Sequence, residues 1–396
     1  MPRIRLLLLL AALTAFAPMS LDLYLPAFPS IAESYGTDTG SVQLTMSACL
    51  LGLGLGQVLW GPVSDRYGRR RPLLVGLTIF MIASLLIMVA PTLTSMVALR
   101  LVQALGGSAG IVIARACVRD LYSGVELARA MSAIVTVFAL APVVAPLIGS
   151  GILLIGPWEW MFAFLALFAI ACLVGVVLMP ETLPPERRTA HGFAGAMRQY
   201  GTIIGSGAFR KSAAIAALGS TALFTYISAS PAVLIDSYGL SEGGFALTFA
   251  GLSLCFALGA QLNMRLLKTH RVVTLLRASV TTQFAASIVV LAAALATVAL
   301  PLLMIPLVIV LMTVAGVNSN AMAMSLDPFP RSAASAAALV GGLQMSMGAI
   351  ASAILAAMAF RPAVEMGLGM TIAAGASLLI IGVGVLRSRQ RDVRTV

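Results

Sequence analysis

Residues 61–74 read Gly-Pro-Val-Ser-Asp-Arg-Tyr-Gly-Arg-Arg-Arg-Pro-Leu-Leu, a short and strongly charged segment between two long apolar runs. The flanking runs, 41–60 and 72–90, contain no charged residue. An apolar run of about 20 residues is long enough to cross a bilayer as a helix. The stretch therefore predicts a water-exposed turn between two membrane-spanning helices.

The composition favours a membrane protein along the whole chain. Of its 396 residues 60% are hydrophobic and 10% are charged, with a mean hydropathy of +1.02, whereas soluble domains carry about 25% charged residues. We predict an all-α membrane protein with twelve transmembrane helices, near 6–29, 41–63, 72–90, 93–117, 129–154, 158–179, 212–235, 243–264, 273–297, 301–325, 334–357 and 363–386. Three classes fit this composition: a transporter or channel, a membrane-embedded enzyme, and a structural membrane subunit.

The net charge of +11 has two interpretations: binding to nucleic acid, or the excess of Lys and Arg typical of cytoplasmic loops in membrane proteins. With turn 61–74 in the cytoplasm, all but two of the 25 Lys and Arg residues fall in cytoplasmic stretches, the exceptions being Arg100 and Arg361. This asymmetry predicts a multi-pass protein of the bacterial inner membrane with both termini in the cytoplasm. The basic residues then serve to orient the spans in the lipid bilayer, and their excess does not require binding to nucleic acid.

The start of the chain resembles a secretory signal, because Arg3 and Arg5 precede an apolar stretch at 6–17. The apolar stretch continues to about Pro29, and its removal would invert the orientation of every later span. We therefore predict an uncleaved first helix.

Cysteine and histidine indicate no metal site. The cysteines lack zinc-site spacing and are interpreted as packing residues within or at the ends of spans: Cys49, Cys117, Cys172 and Cys255. The histidines, His191 and His270, fall in predicted cytoplasmic loops.

The predicted spans form two halves of six helices. The first half covers 1–179, the second covers 212–396, and a polar cytoplasmic linker at 180–211 separates them. Such duplication is typical of secondary transporters, whose sites lie near the midplane between repeats. In the second half Gly259–Arg271 is the counterpart of turn 61–74, basic but without the acid.

Two ionisable residues lie well inside predicted spans, Asp22 in the first and Arg100 in the fourth. Both are about seven residues from the outer end of their helix, so they reach a similar depth. Charged groups at that depth are costly and usually pair or mark an ion pathway. Our hypothesis is that Asp22 carries a proton and that Arg100, with Gln103, tunes its proton affinity; the alternatives are a static ion pair or a helix-end acid in water.

The charged turn itself predicts specific contacts. Gly68 allows a positive φ in a short connection, and Gly61 allows close helix packing. Asp65 can accept from a helix N-terminus or a basic neighbour, and Arg69 can reach Asp120 at the inner end of the fourth helix. The simpler alternative is a solvated anchor that only sets topology.

Five stretches carry a family resemblance: Gly61–Arg71 in the turn, Asp22-Leu-Tyr24-Leu-Pro26 in the first helix, Arg100-Leu-Val-Gln103-Ala-Leu-Gly106 with Arg115, Arg119 and Asp120 in the fourth, Ala141-Pro142-Val-Val-Ala145-Pro146-Leu-Ile-Gly149 in the fifth, and Pro180-Glu181-Thr182-Leu183 after the sixth. Together they resemble the major facilitator superfamily and, within it, the bicyclomycin-resistance (Bcr/CflA) branch of drug:proton antiporters. The resemblance covers nearly the whole chain but is dense only in the first half.

The resemblance implies roles for these residues. It implies that the turn cluster latches the outward-facing state, through Gly61, Asp65, Arg66, Gly68, Arg69, Arg70 and Asp120. The fifth helix resembles the antiporter signature, which implies export, and Pro142, Pro146 and Gly149 would let it kink and pack closely; the alternative is a plain packing motif. The chain departs from the family where Trp158-Glu159-Trp160 carries an acid in place of Arg, and where Ser319-Asn320-Ala321 replaces Pro-Asn-Ala.

The predicted substrate pocket is apolar with few polar groups, which suits an amphiphilic, drug-sized and neutral or weakly polar ligand. Candidate lining residues are Tyr24, Phe224, Tyr226, Ser228, Asn318, Asn320, Gln344 and Met345. The 20 Met residues are consistent with an adaptable surface but also with ordinary core filling.

These observations predict a monomeric, proton-coupled exporter of small amphiphilic antibiotics that works by alternating access. It would use the proton gradient as its energy source and no cofactor. The alternative is a proton-linked transporter of a small metabolite on the same fold. An embedded enzyme is disfavoured, because the Gly-x-Ser-x-Gly match at 106–110 lies in a predicted helix and no phosphate-binding Gly-Lys-Ser/Thr loop occurs.

Overall fold

The computed structural model describes residues 3–188, 192–358 and 360–394, so His191 lies outside the described residues. Within these ranges the chain is helical without strands, and twelve segments are long and apolar enough to cross a membrane. A chain in a bilayer must satisfy its backbone hydrogen bonds internally, which long helices do. The predicted fold class, an all-α protein with twelve transmembrane helices, is confirmed.

Fifteen α-helices follow one another in the described chain. Those before the linker are α1 (Arg3–Thr14), α2 (Phe16–Asp22), α3 (Phe28–Ser34), α4 (Thr39–Tyr67), α5 (Arg70–Ile87), α6 (Leu93–Leu121), α7 (Gly124–Leu153) and α8 (Glu159–Leu178). The linker carries α9 (Gly192–Gly205). The remaining helices are α10 (Gly207–Pro231), α11 (Glu242–Leu266), α12 (Val272–Leu295), α13 (Leu300–Leu326), α14 (Ala333–Ala356) and α15 (Pro362–Arg394).

The first membrane span differs from the single helix expected from its apolar pattern. The span Ile4–Ser34 contains α1, α2, a 3-10 turn at Leu25–Ala27 and α3. Pro26 has no backbone N–H for the carbonyl four residues earlier, that of Asp22, so the regular helix cannot continue through this point. The break places Asp22 at the last position of α2.

The chain packs into two compact units. The first comprises the chain up to Thr202 together with Ser230–Gly251, and the second comprises Ile203–Ala229 with the chain from Leu252 onward. Within the first unit, Thr39 at the start of α4 donates a hydrogen bond to Asp236. The predicted division into 1–179, a linker at 180–211, and 212–396 stays a prediction.

Small residues allow the helices of the first unit to pack closely. A Cβ at Gly56 of α4 would lie 1.8 Å from Ser108 Oγ of α6, and Trp60 Nε1 donates to the Leu105 carbonyl at 2.7 Å. On α6, a Cβ at Gly110 would lie 2.4 Å from the Leu13 carbonyl oxygen of α1. The Gly-x-Ser-x-Gly stretch at 106–110 therefore lies within α6 and allows it to pack closely on neighbouring helices, as predicted.

Candidate functional site

Asp22 lies in the interior of the first unit. The residue is 2% exposed and ends α2, directly before the break in the first span. Its Oδ1 atom has no hydrogen-bond partner in the described structure. Neither ion pair formed by Arg69 includes Asp22, and among the described residues no cation lies within 4.0 Å of its carboxylate.

Arg100 is fully buried, at 0% exposure, and is surrounded by neutral groups. Its guanidinium donates to the Ser20 carbonyl at 2.6 Å, to Ser20 Oγ at 3.2 Å and to Gln103 Oε1 at 2.5 Å. The guanidinium carbon lies 4.2 Å from the centre of the Tyr24 ring and 5.6 Å from that of Phe162. Aromatic faces stabilise a desolvated cation in this way.

The alternative of a static ion pair between the two buried charges is therefore not seen in this structure. Similar depth did not bring Arg100 and Asp22 together, because the guanidinium is already held by Ser20 and Tyr24 of the broken span. Gln103 extends this network, since its Nε2 donates to Ser84 Oγ of α5 at 2.7 Å. Arg100 thus joins α2, α5, α6 and α8 at one point, and its influence on Asp22 stays a prediction.

The charged turn folds into a cluster around Arg69, which is 6% exposed. Its Nη1 donates to Asp65 Oδ1 at 2.5 Å and to Ser64 Oγ at 2.9 Å, and its Nε donates to Asp120 Oδ2 at 2.8 Å. Burial alone would lower the pKa of Arg69, but the hydrogen bonds to Asp120 and Asp65 raise it overall. Arg69 is therefore charged at every physiological pH, and the predicted contact with Asp120 is present.

Glu181, which follows the sixth span, completes this cluster. Its carboxylate accepts from the backbone amides of Arg69 at 2.7 Å and Arg70 at 3.2 Å, at the start of α5. Helix N-termini leave such amides unpaired and favour a negative charge. Gly68 has φ of 88°, and a Cβ there would lie 2.5 Å from Glu181 Oε2. Gly68 is required both for its positive φ and for this close approach.

Sequence reasoning noted Glu181 only as part of a family motif and not as a site residue. The sequence did contain a signal for Glu181: it is an acidic residue directly after a span, in a stretch that lies at the same membrane face as turn 61–74.

The other predicted turn residues lie at the edge of the cluster. Arg66 is exposed beside the Tyr67 ring, and Arg70 donates to the Val177 carbonyl. A Cβ at Gly61 would lie 3.9 Å from the Tyr200 hydroxyl.

Glu181→Gln is expected to lower the stability of the purified protein at pH 7 by about 0.5 kcal/mol, typical of a screened charge at a helix N-terminus. Burial would raise the pKa of Glu181, but the amides of Arg69, Leu183 and Arg70 and the charge of Arg188 hold it below its ordinary value of 4.5. The carboxylate therefore stabilises the fold above pH 4.5, and this contribution is lost as the pH falls through its lowered pKa. Thermal melts should show a deficit that shrinks below pH 4.5.

The control for this variant is Glu186→Gln, which changes an exposed acid in the nearby turn Pro185–Arg187. It should melt like the wild type at each pH. A deficit for Glu181→Gln that stays constant from pH 7 to pH 4 would contradict the capping role.

The fifth span packs against the break beside Asp22. α7 is continuous through Pro142 and Pro146. A Cβ at Gly149 would lie 1.9 Å from the Leu23 carbonyl oxygen. The predicted close packing of Gly149 is therefore present, and its partner is the irregular backbone next to Asp22.

The second unit contains a polar network among α10, α13 and α14. Ser220 Oγ donates to Asn318 Oδ1 at 2.9 Å and accepts from Gln344 Nε2 at 2.8 Å. Asn318 and Gln344 are half-buried, as is Met345. Three predicted substrate residues thus keep exposed surface, and Ser220, which the sequence did not single out, joins two of them.

The other five predicted substrate residues are buried. Asn320 and Asn263 exchange amide hydrogen bonds at 2.9 and 3.3 Å, which joins α13 to α11. Tyr24 contacts Thr45 at 3.0 Å in the first unit, and Ser228 accepts from Ser352 at 2.8 Å. Phe224 and Tyr226 are 7% and 2% exposed. These five residues are buried in this structure, and their role towards a ligand stays a prediction.

Comparison with known proteins extends these observations. The family model for the Major Facilitator Superfamily matches residues 10–356. The chain belongs to the Major Facilitator Superfamily. A relative in Bacillus subtilis, an uncharacterized superfamily-type transporter, is 34% identical over 356 residues and 89% of each chain. Membership indicates a multi-pass membrane transporter rather than an enzyme.

Two further relatives are named for drug resistance. A bicyclomycin resistance protein homolog of Haemophilus influenzae is 28% identical over 91% of each chain. A chloramphenicol resistance protein of Pseudomonas aeruginosa is 31% identical over 66% of this chain and 61% of its own. The predicted resemblance to the Bcr/CflA type of superfamily drug transporters is confirmed.

Solved structures confirm the fold. A POT family transporter, solved in complex with a thioalcohol-conjugated peptide, matches with a TM-score of 0.75 at 13% identity, over 97% of this chain and 96% of its own. A D-xylose-proton symporter matches with a TM-score of 0.74 at 14% identity, over 94% and 97%. At such low identity these structures share the fold of this chain, and no more is inferred from them.

Proposed function

We propose that this superfamily member is a proton-coupled multidrug efflux antiporter. It exports small amphiphilic antibiotics from the cytoplasm by alternating access, as a monomer in the bacterial inner membrane with both termini in the cytoplasm. The proton gradient supplies the energy, without a bound cofactor. The observation that carries the proposal is the buried, unpaired carboxyl of Asp22 in a chain related to named drug-resistance proteins.

The environment of Asp22 supports a role in proton transfer. A negative charge without a cation or hydrogen-bond donors is costly at membrane depth, so a bound proton removes that cost in the structure seen here. Access to water, or the approach of a cation, would favour release of the proton. A conformational change that alternates these environments would move one proton per cycle at Asp22.

The interior of the second unit supports a neutral substrate. Its polar groups near the predicted pocket are amides and hydroxyls, with Ser220, Asn318 and Gln344 already linked to one another. Uncharged donors and acceptors fix the orientation of a ligand without requiring its charge to be neutralised. Amphiphilic antibiotics with hydroxyl and amide groups suit this chemistry.

The experiment uses inside-out membrane vesicles whose lumen is acidified by respiration. Adding chloramphenicol or bicyclomycin should make the lumen more alkaline, because protons leave as the drug enters. Vesicles without the protein are the control. A further acidification would indicate symport, and no response to either compound would favour the metabolite transporter; both results would contradict the proposal.

A further inference from the structure

A proline leaves one carbonyl of α4 without its helical donor. α4 runs from Thr39 to Tyr67 with Pro62 inside it. Because proline has no backbone N–H, the carbonyl four residues earlier, that of Val58, loses the hydrogen bond that an α-helix normally supplies. A carbonyl in a membrane helix that lacks this bond needs another donor.

Tyr200 of the linker helix α9 is that donor. Its Oη donates to the Val58 carbonyl at 3.1 Å, and the residue is 5% exposed. Burial, together with the negative charge of Asp65, raises the pKa of Tyr200 to about 12. The hydroxyl therefore keeps its proton at physiological pH and remains a donor.

The hydrogen bond between Tyr200 and Val58 lies close to the charged cluster around Arg69. The Val58–Pro62 turn lies one turn before Asp65, which binds Arg69 in the charged cluster. Along the chain, α9 contains the point at which the first compact unit ends and the second begins, because Tyr200 belongs to the first and Ile203, which is 1% exposed, belongs to the core of the second. A contact here fixes the linker helix to the end of α4 that carries the cluster.

We propose that Tyr200 is a positioning residue, whose hydroxyl replaces the hydrogen bond that Pro62 removes and so ties α9 to the inner end of α4. This proposal is independent of drug export, since it concerns a contact within the described chain. The competing explanation is that the Tyr200 ring packs against α4 and its hydroxyl contributes nothing.

A double-mutant cycle separates the two explanations. In the full-length protein purified in detergent, without drug, hydrogen exchange is measured on peptides covering α9. Tyr200→Phe keeps the ring and removes only the hydroxyl, so exchange should become about fivefold faster, the factor that corresponds to one ordinary hydrogen bond. Pro62→Ala restores a backbone donor to Val58. In that background Tyr200→Phe should change exchange by less than about twofold.

The matched control is Tyr67→Phe, which removes an exposed hydroxyl at the same end of α4 and should leave α9 exchange unchanged. Unchanged exchange in Tyr200→Phe would overturn the proposal, and this result does not depend on whether Pro62→Ala folds. An equal acceleration in both backgrounds would also overturn it, because the hydroxyl would then act independently of Pro62. Transport assays are not part of the test, so failure of the export proposal leaves its result intact.

Discussion

Asp22→Asn is expected to reduce drug-dependent proton movement in inside-out vesicles to the level of vesicles without the protein. The amide has nearly the same shape but cannot bind and release a proton, so a cycle that depends on this carboxyl loses its coupling. The side chain is 2% exposed and carries no cation partner, so the substitution breaks no ion pair. The folded protein should therefore remain as abundant as the wild type in the membrane.

The matched control is Asp38→Asn, which changes an acid outside the spans. Asp38 caps α4 by accepting from the Ser41 amide at 2.8 Å, and Asn caps helices about as well as Asp. This variant should retain drug-dependent proton movement. Wild-type rates in Asp22→Asn would show that Asp22 is not the proton carrier.

A second buried acid, Glu365, provides a further test of which carboxyl carries the proton. Glu365 is 7% exposed in the first turn of α15, and it was not singled out from the sequence because it lies at a predicted helix end. Glu365 takes part in at least one interaction, whereas Asp22 Oδ1 has no hydrogen-bond partner. If Glu365→Gln abolishes proton movement and Asp22→Asn does not, the carrier is in the second unit.

The sequence predicted those structural features that depend on hydrophobicity or on contacts between residues close together in the chain. The spans follow from apolar length, and the Arg69 contacts follow because Asp65 lies one turn away on the same inner end. Burial of Arg100 was also predictable, because its helix is apolar on both sides. These features require no knowledge of how a helix is rotated about its axis.

Other features depend on that rotation or on contacts between distant segments. Arg100 contacts Ser20 and Tyr24 rather than Asp22. Ser20 and Asp22 are two residues apart on α2, so they point to different sides of that helix. Glu181 binds α5 across 111 residues of chain. Asn320, a predicted pocket residue, exchanges hydrogen bonds with Asn263 of α11. None of these partners can be chosen from depth and composition alone.

Gly149→Ala is expected to disrupt both the fold and the transport activity. The added Cβ would lie 1.9 Å from the Leu23 carbonyl oxygen, and a backbone atom cannot turn aside as a side chain can. We expect a cost of roughly 3 kcal/mol, the upper end of the usual cost of overpacking. Less monodisperse protein should be recovered in detergent, and it should melt at lower temperature.

Gly151→Ala is the control on the same helix, because a Cβ at Gly151 meets no atom within 4 Å. It should melt and transport like the wild type. If the two alanine variants behave alike, α7 does not pack on the Leu23 backbone in the membrane. If Gly149→Ala folds but loses transport, the close contact beside Asp22 is needed for the conformational cycle as well as for packing. That result would connect the proline-containing helix to the residue proposed to carry the proton, since Leu23 directly follows Asp22.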